Sequence, residues 1–196
     1  MTRLYAATGN PGKMREFRLA AEGHPEVEIE PLPGYPQIRP CLEDGGTFEE
    51  NALLKARHYG RHAPGLLFAD DSGIEVDALG GAPGVLSARF AGLHATDAAN
   101  NRVLQEVLQG VHPRTARFVC VIALVERDRV RGVFRGAVEG LVTDEPRGSS
   151  GFGYDPLFYY PPFGCTLAEA SAERKATVSH RGEAFRKLRT FLSTHL

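Results

Sequence analysis

The clearest chemical signal lies in residues 149–156, whose sequence is SSGFGYDP. Phe152 stands between two glycines, and Asp155 follows at a predicted tight turn. Glycines let a ligand approach the backbone closely, and an aromatic ring beside them offers a stacking surface. Such a pattern predicts half of a nucleotide pocket, because basic side chains that suit a phosphate or a base carbonyl come next in the chain. Three of them follow about one helix later: Lys175, His180 and Arg181.

The sequence TGNPGK at residues 8–13 is a second signal, because it stands between a predicted strand at 3–8 and a predicted helix at 12–22. In such an arrangement the loop N–H groups and the positive end of the helix dipole point towards an anion. Lys13 lies in the first helical turn, where the dipole favours an acidic residue, and this mismatch favours a functional role. The GxxxxGK[ST] pattern of a Walker A loop is missing. An ordinary turn between strand and helix therefore explains the sequence equally well.

Two adjacent aspartates, Asp70 and Asp71, follow the apolar sequence LLFA, which predicts a buried strand at 65–69. Acidic residues at the C-terminal end of such a strand lie where open α/β sheets bind ligands. Paired acids at this position hold Mg²⁺ or activate water, whereas the structural alternative is an Asx turn. We favour the functional interpretation for two adjacent aspartates that directly follow an apolar run.

Lysine is rare in this chain, since four of the 23 basic residues are lysine and the rest are arginine. Three of the four, Lys13, Lys55 and Lys175, fall in stretches that have chemical character for other reasons. A lysine is a compact point charge that can enter a phosphate site, so this distribution supports a phosphate ligand. Glu43 precedes the helix of Lys55, and from its sequence context alone it is interpreted as a solvated loop acid.

Composition restricts the class of protein. The chain has 196 residues, a hydrophobic content of 42% and a formal net charge of −1. These values predict one continuous domain over residues 1–196, and the charge argues against bulk binding to nucleic acid or to an anionic membrane. No apolar run reaches the length of a transmembrane helix, and no signal-peptide pattern is present, so a cytoplasmic location is expected. An odd number of cysteines without CxxC spacing argues against a disulfide framework or a zinc site: Cys41, Cys120 and Cys165.

Hydrophobic periodicity and turn residues predict the remaining elements. Further strands are expected at 27–30, 74–79, 117–126 and 129–142. Further helices are expected from a capping box of Thr47 and Glu50, at 96–109, at 168–174 and from an N-cap at Ser179, with a short helix opening at 87–90. Loops are expected at 31–46 and 160–167.

Four stretches together resemble a known family in their order and spacing. They are TGNPGK at 8–13, ADDSG at 69–73 with GGAPG at 80–84, GFGYDP at 151–156 and SHRG at 179–182, and TFEENA at 47–52 and PRG at 146–148 fit as well. Over essentially the whole chain, this set resembles the noncanonical purine nucleoside triphosphate pyrophosphatases, the inosine/xanthosine triphosphate pyrophosphatase family. The resemblance implies an α/β fold with an elongated, curved mixed sheet, flanking helices, and two lobes around a cleft. It also implies a homodimer that uses Mg²⁺ to convert inosine, deoxyinosine or xanthosine triphosphate and water to the monophosphate and pyrophosphate, cleansing the nucleotide pool.

The resemblance also implies roles for individual residues. Asp71 is expected to be the general base and, with Glu43, a magnesium ligand, while Asp70 orients the loop. Phosphate contacts are expected from the first loop and its neighbours: Thr8, Gly9, Asn10, Pro11, Gly12, Lys13, Lys55 and Ser72. Recognition of the purine is expected from a second set: Phe152, Gly153, Tyr154, Asp155, Lys175, His180 and Arg181.

Other classes of protein remain open at this point. A Maf-like pyrophosphatase acts on other modified nucleotides, but the order of its motifs does not appear here. A nucleotide-binding sensor without catalysis would not need the adjacent aspartates or Lys13. A structural α/β protein with incidental glycines fits poorly with the ordered motifs and the lysine distribution.

Overall fold

The computed structural model describes residues 1–195, which form a mixed seven-stranded sheet with flanking helices. The strand order is β2-β1-β3-β4-β5-β6-β7. The strands are β1 Thr2–Ala6, β2 Val27–Pro31, β3 Leu66–Val76, β4 Thr115–Glu126, β5 Arg129–Val142, β6 Phe158–Tyr160 and β7 Cys165–Thr166. The helices are α1 Pro11–Ala21, α2 Phe48–Gly60, α3 Asp97–Val107, α4 Ala172–Ala176 and α5 His180–His195. Because β1 pairs in parallel with β2 and β3, and β6 pairs antiparallel with β5 and β7, the predicted mixed α/β sheet is confirmed.

The predicted helix starts are confirmed where capping residues marked them. The Thr47 hydroxyl accepts from the Glu50 N–H at 3.1 Å, and the Glu50 carboxylate accepts from the Thr47 N–H at 3.1 Å, so the capping box of α2 is complete. The Thr96 hydroxyl caps α3 by accepting from the Ala99 N–H at 3.2 Å, and the Ser179 hydroxyl accepts from the Gly182 N–H at 3.0 Å at the start of α5. Each cap satisfies an N–H group that has no partner within its helix.

The prediction of two separate strands around the adjacent aspartates was wrong. A single strand, β3, runs from Leu66 to Val76, so Asp70 and Asp71 lie inside it and not at its C-terminal end. Adjacent residues of a strand point to opposite faces of the sheet. The two carboxylates therefore need separate sets of partners, one set on each face.

Shorter elements also departed from expectation. Residues 160–167, predicted as a loop, include the end of β6, a 3-10 turn at Pro161–Phe163 and all of β7, because strands of two or three residues are too short for alternation to reveal them. The helix predicted at 168–174 is α4, which starts later because the Ser171 hydroxyl caps it by accepting from the Arg174 N–H. The stretch expected to open a helix at 87–90 is the end of a 3-10 helix, Gly84–Arg89, and another 3-10 turn lies at Tyr35–Gln37 within the predicted loop 31–46.

The chain divides into two compact units, each with its own core. The first unit consists of Met1–Asp71, Cys120–Gly136 and the segment from Ser179 onward. Its core joins α1, α5 and the strands through the Phe68 ring, which lies 5.0 Å from the ring of Phe17 and 6.2 Å from that of Phe185. Phe68 and Asp70 are two residues apart on β3 and share a face, so Asp70 lies on the face covered by α1 and α5.

The second unit consists of Ser72–Val119 and Ala137–Val178. Its core contains apolar residues of β3, β4 and β5 together with Leu104 and Leu108, and the rings of Phe118 and Phe158 lie 4.4 Å apart. Ser87 joins β3 to the 3-10 helix by hydrogen bonds. Its hydroxyl accepts from the Ile74 N–H at 2.9 Å and donates to the Gly84 carbonyl at 2.6 Å.

None of the helices within residues 1–195 has the length and apolar character needed to cross a membrane.

Gly73 is expected to be intolerant of any side chain. A Cβ at this position would lie 2.2 Å from Ser87 Oγ and 2.8 Å from the Gly84 carbonyl oxygen. We expect Gly73→Ala to lower the free energy of unfolding by about 2 kcal/mol, through overpacking and a disturbed buried hydrogen bond. Chemical denaturation measures this loss. Gly65→Ala is the matched control, because its Cβ would meet nothing closer than 3.8 Å. Equal stabilities of the two variants would contradict the prediction.

Candidate active site

Asn10 organises the loop between β1 and α1. Its Oδ1 accepts from the N–H groups of Gly12 and Lys13, at 2.8 and 3.1 Å, and the Thr8 hydroxyl accepts from the Asn10 N–H at 3.1 Å. Pro11 begins the helix and has no N–H group to offer. The first-turn amides of α1 are therefore bound to the chain itself. Two of the amides that were expected to point towards an anion, those of Gly12 and Lys13, instead donate to this side-chain cap.

Asp70 is a buried anion surrounded by cations. Lys13 Nζ donates to its Oδ2 at 2.9 Å, and Arg181 Nε lies 4.0 Å from the same oxygen. The Cys120 thiol lies 3.9 Å from it, and burial raises the pKa of that thiol, so it stays protonated. Burial alone would raise the pKa of Asp70, but the charges of Lys13, Arg181 and Lys55 outweigh burial and lower the pKa to about 2. Asp70 therefore stays ionised and holds Lys13 in place.

Asp71 lies in a second cluster with Lys55 and Glu43. Lys55 Nζ donates to Asp71 Oδ1 at 2.8 Å and to Glu43 Oε2 at 2.9 Å. Burial raises the pKa of Asp71, and attraction to Lys55 opposes this only in part. Burial would lower the pKa of Lys55, but Asp71 and the other nearby carboxylates raise it above its ordinary value. One ammonium group thus joins two carboxylates that the sequence separates by 28 positions.

Asn51 holds the loop of Glu43 against Asp71. Its Nδ2 donates to Asp71 Oδ2 at 3.3 Å, and its Oδ1 accepts from the Gly45 N–H at 2.9 Å. Asn51 is 1% exposed, and a Cβ on Gly45 would lie 2.8 Å from its Oδ1. Only glycine therefore lets the loop approach the start of α2 this closely. The close approach places Glu43 beside Lys55.

Arg181 lies at the first turn of α5, where the helix dipole disfavours a cation. Its Nη1 donates to Glu16 Oε2 on α1 at 2.9 Å, and Asp70 adds a second negative charge. Carboxylates of the protein itself therefore compensate this cation. His180, the residue before it, is also buried.

In the second unit, Asp155 and Lys175 form a buried ion pair beside Phe152. Asp155 Oδ2 also accepts from the Phe152 N–H at 2.9 Å. Lys175 Nζ lies 5.2 Å from the centre of the Phe152 ring, within range of a cation–π interaction. Gly151 has a φ of +78°, and a Cβ there would lie 2.1 Å from Asp155 Oδ2, so this turn requires glycine. The arrangement holds the half-buried Phe152 ring in one place.

The residues on either side of Asp155 have structural partners as well. The Gly153 N–H donates to Asp97 Oδ2 at 2.7 Å, and its carbonyl accepts from Asn101 Nδ2 at 2.9 Å, which fixes the turn to α3. Tyr154 is 5% exposed, and its hydroxyl donates to the Ser87 carbonyl at 2.7 Å. Ser72, the first residue of the second unit, is half-buried.

The structure thus gathers the predicted residues into two sets. In the first unit, Lys13, Lys55, Glu43, Asp70 and Asp71 come together near Arg181. In the second unit, the set is Phe152, Asp155 and Lys175. Sequence reasoning missed the partners of these groups as members of the site: Glu16, Asn51 and Cys120. The sequence could have indicated Asn51, because it lies one turn before Lys55 and therefore on the same face of α2. No sequence pattern pointed to Glu16 or Cys120.

Glu43 and Asp71 fit a divalent cation. Their oxygens converge on one position, which the Lys55 ammonium fills at 2.9 and 2.8 Å. Carboxylate oxygens are the ligands that Mg²⁺ prefers, and Mg²⁺ is commonly bound through one or two carboxylates plus phosphates of a substrate. No group of three or more acidic, histidine or cysteine side chains suited to a metal occurs within residues 1–195. A metal here would therefore take further ligands from water or from a phosphorylated ligand.

Known proteins resemble this chain over nearly its full length. A protein of Exiguobacterium sp. named dITP/XTP pyrophosphatase is 49% identical over 95% of this chain and 94% of its own length. The structure of a HAM1 protein from Coxiella burnetii matches with a TM-score of 0.88 and 38% identity, covering 99% of this chain and all of that one. The Staphylococcus aureus Ham1 protein matches with a TM-score of 0.87 and 38% identity over the full length of both chains. The model of the Ham1 family matches residues 4–191, and the chain therefore belongs to the Ham1 family.

Proposed function

We propose that this chain is a nucleoside triphosphate diphosphatase that hydrolyses inosine, deoxyinosine and xanthosine triphosphates to the monophosphate and pyrophosphate. The observation that carries this proposal is the cluster of Lys13, Lys55, Glu43, Asp70 and Asp71 in the first unit. Two ammonium groups and three carboxylates in one place suit a polyanion bound together with a divalent cation. Relatives named dITP/XTP pyrophosphatase support the substrate class.

Phosphate binding falls to the side chains of the first unit. Lys13 and Lys55 supply positive charge, and the hydroxyl of Thr8 is a further donor. Asn10, Gly9, Pro11 and Gly12 shape the loop that presents Lys13. Asp70 aligns Lys13 through the 2.9 Å ion pair. In the second unit, the proposed phosphate donor is the hydroxyl of Ser72.

Magnesium is the proposed cofactor, held by Glu43 and Asp71. When bound, it supplies neutralisation of phosphate charge and a lower pKa for water in the site. Asp71 accepts a proton from the water that attacks the α-phosphorus, and the raised pKa of its buried carboxyl makes it a better proton acceptor than an exposed aspartate. Asn51 keeps one oxygen of Asp71 oriented for this task. Most of the rate enhancement then comes from positioning and from charge neutralisation.

Purine recognition is assigned to Phe152, which stacks on the base, and to donors that read its edge. Hypoxanthine and xanthine have a carbonyl at position 6, where adenine has an amino group. A cationic donor therefore favours the first two and opposes a second donor on adenine. The proposed residues of this set are Gly153, Tyr154, Asp155, Lys175, His180 and Arg181.

Three further assignments belong to the proposal. The chain acts as a homodimer, which the family resemblance supports, and residues 1–196 work as a single pyrophosphatase domain. It acts in the cytoplasm, in keeping with its three free cysteines. With a net charge of −1, it uses neither nucleic acid nor a membrane as a partner.

The purified chain is expected to release pyrophosphate and a monophosphate from inosine, deoxyinosine and xanthosine triphosphates when Mg²⁺ is present. A panel that includes adenosine and guanosine triphosphates and modified pyrimidine triphosphates measures both products. Release of orthophosphate and a diphosphate would contradict the proposed bond cleavage. Preference for modified pyrimidines would indicate a Maf-like activity, and binding without turnover would indicate a sensor.

Asp71→Asn is expected to lower kcat by about a thousandfold, because the proton acceptor is removed while the carboxamide keeps nearly the same shape. Steady-state kinetics and calorimetric titration with inosine triphosphate separate turnover from nucleotide binding, which should stay measurable. Asp128→Asn, in the exposed turn between β4 and β5, is the control and should keep full activity. Near-normal turnover by Asp71→Asn would remove Asp71 as the base.

Arg181→Ala is expected to reduce the ratio of kcat/KM for inosine over adenosine triphosphate by about tenfold or more, because a donor to the 6-carbonyl is lost. Arg186→Ala, an exposed position on the same helix, is the control. Arg181 also pairs with Glu16, so thermal unfolding of both variants is measured alongside. An equal loss of kcat/KM for the two substrates would show that Arg181 supports the fold or the phosphate end and does not select the base.

A further inference from the structure

We propose that Lys55 is a built-in counter-cation that keeps the metal position closed until nucleotide phosphates draw its ammonium away. This inference rests on the proposed function, in which Glu43 and Asp71 hold the metal. It adds an order of events, because tight metal binding then requires the nucleotide. It also gives Lys55 a second role besides contact with phosphate.

The Lys55 ammonium lies between the two proposed metal ligands. Lys55 Nζ lies 2.8 Å from Asp71 Oδ1 and 2.9 Å from Glu43 Oε2, so it occupies the point on which both carboxylates converge. The residue is 8% exposed, and the side chain reaches this point from the middle of α2. A divalent cation bound by the same two oxygens would lie within a few ångströms of the ammonium. Two cations so close in a buried site repel each other strongly, and therefore Lys55 must move when a metal binds.

The cluster has few carboxylates left for a metal. Asp70 is the third carboxylate of the cluster, and Lys13 already pairs with it at 2.9 Å. The protein therefore offers a metal two carboxylates, and both of them are paired with the single ammonium of Lys55. Phosphate oxygens can accept hydrogen bonds from the Lys55 ammonium and so draw it away from the two carboxylates. They can also complete the coordination of Mg²⁺. Binding of the nucleotide and binding of the metal are consequently coupled, and the coupling acts equally in both directions.

Asp71 and the loop of Glu43 are held by Asn51 independently of Lys55. Asn51 Nδ2 donates to Asp71 Oδ2, and Asn51 Oδ1 accepts from the Gly45 N–H two residues beyond Glu43. Asp71 and the loop of Glu43 are thus attached to α2 by contacts that do not involve the ammonium. When Lys55 leaves, Asp71 and the loop that carries Glu43 stay in place for the metal.

Manganese binding to the protein without nucleotide tests the proposal. We expect Lys55→Met to bind Mn²⁺ about tenfold or more tightly than the wild-type chain, because the competing cation is gone. Electron paramagnetic resonance counts free Mn²⁺ directly and requires no turnover. Lys55→Gln serves in its place if thermal unfolding shows that Lys55→Met does not fold, and the same gain is expected. Equal Mn²⁺ affinities of the folded variant and the wild type would overturn the proposal.

Three control variants locate the effect. Lys55→Arg keeps a cation and should stay as weak as the wild type. Lys187→Met removes one positive charge from an exposed i,i+4 pair with Glu183 and should leave Mn²⁺ affinity unchanged. Adding Glu43→Gln to Lys55→Met should abolish the gain. A gain in either of the first two variants, or a gain that survives Glu43→Gln, would also overturn the proposal.

The effect of nucleotide on Mn²⁺ affinity is measured with the α,β-methylene analogue of inosine triphosphate, in which the bond that the enzyme would cleave is blocked. The analogue should tighten Mn²⁺ binding more in the wild type than in Lys55→Met, since part of its effect is to remove the ammonium. Equal tightening in both would overturn the conditional role of Lys55. Failure of the pyrophosphatase activity is seen separately, as missing pyrophosphate release by the wild-type chain with Mg²⁺.

Discussion

Two adjacent carboxylates inside one buried strand are the constraint on which the first unit depends. A buried carboxylate is costly unless it is paired, and neighbouring residues of a strand point to opposite faces. Asp70 is therefore paired by Lys13 from α1 and approached by Arg181 from α5, while Asp71 is paired by Lys55 from α2. Three helices that are distant in sequence must each deliver a cation to β3. The packing of aromatic side chains from α1 and α5 on Phe68 brings two of those helices to the same face.

This arrangement differs from a phosphate site made of backbone amides. Asn10 uses the first-turn amides of α1 for its own cap, so the charge available to an anion belongs to lysine side chains. Side-chain ammonium groups can exchange partners, which fixed N–H groups cannot do. The lysines are paired with carboxylates of the protein, and under the proposed function they can pass from these carboxylates to a ligand. Asn51 and Gly45 supply the rigid frame around these exchangeable contacts.

Much of the fold and of the site could be predicted from local signals. Thr47, Thr96 and Ser179 marked helix starts, and the scarcity of lysine marked Lys13, Lys55 and Lys175, all of which lie in ion pairs with carboxylates. Local signals failed where long-range pairing decides the outcome. The continuation of β3 through Asp70 and Asp71 depends on cations from three helices, which no window of residues around the aspartates contains. Glu43 resembled a solvated acid because its partner, Lys55, lies on the following helix.

The buried lysine–carboxylate pairs also restrict which amino-acid substitutions such a sequence can accept during evolution. Losing one partner of a buried pair costs about 3–5 kcal/mol, which is a large part of the roughly 5–15 kcal/mol that keeps a domain folded. Lys55 is the strictest case, because it serves Glu43 and Asp71 at once. An alteration of Lys55 or Asp71 leaves a buried charge without its partner, and this cost favours a compensating change nearby. The pair of Lys187 with Glu183 is exposed and contributes little to stability, so Lys187 can change alone.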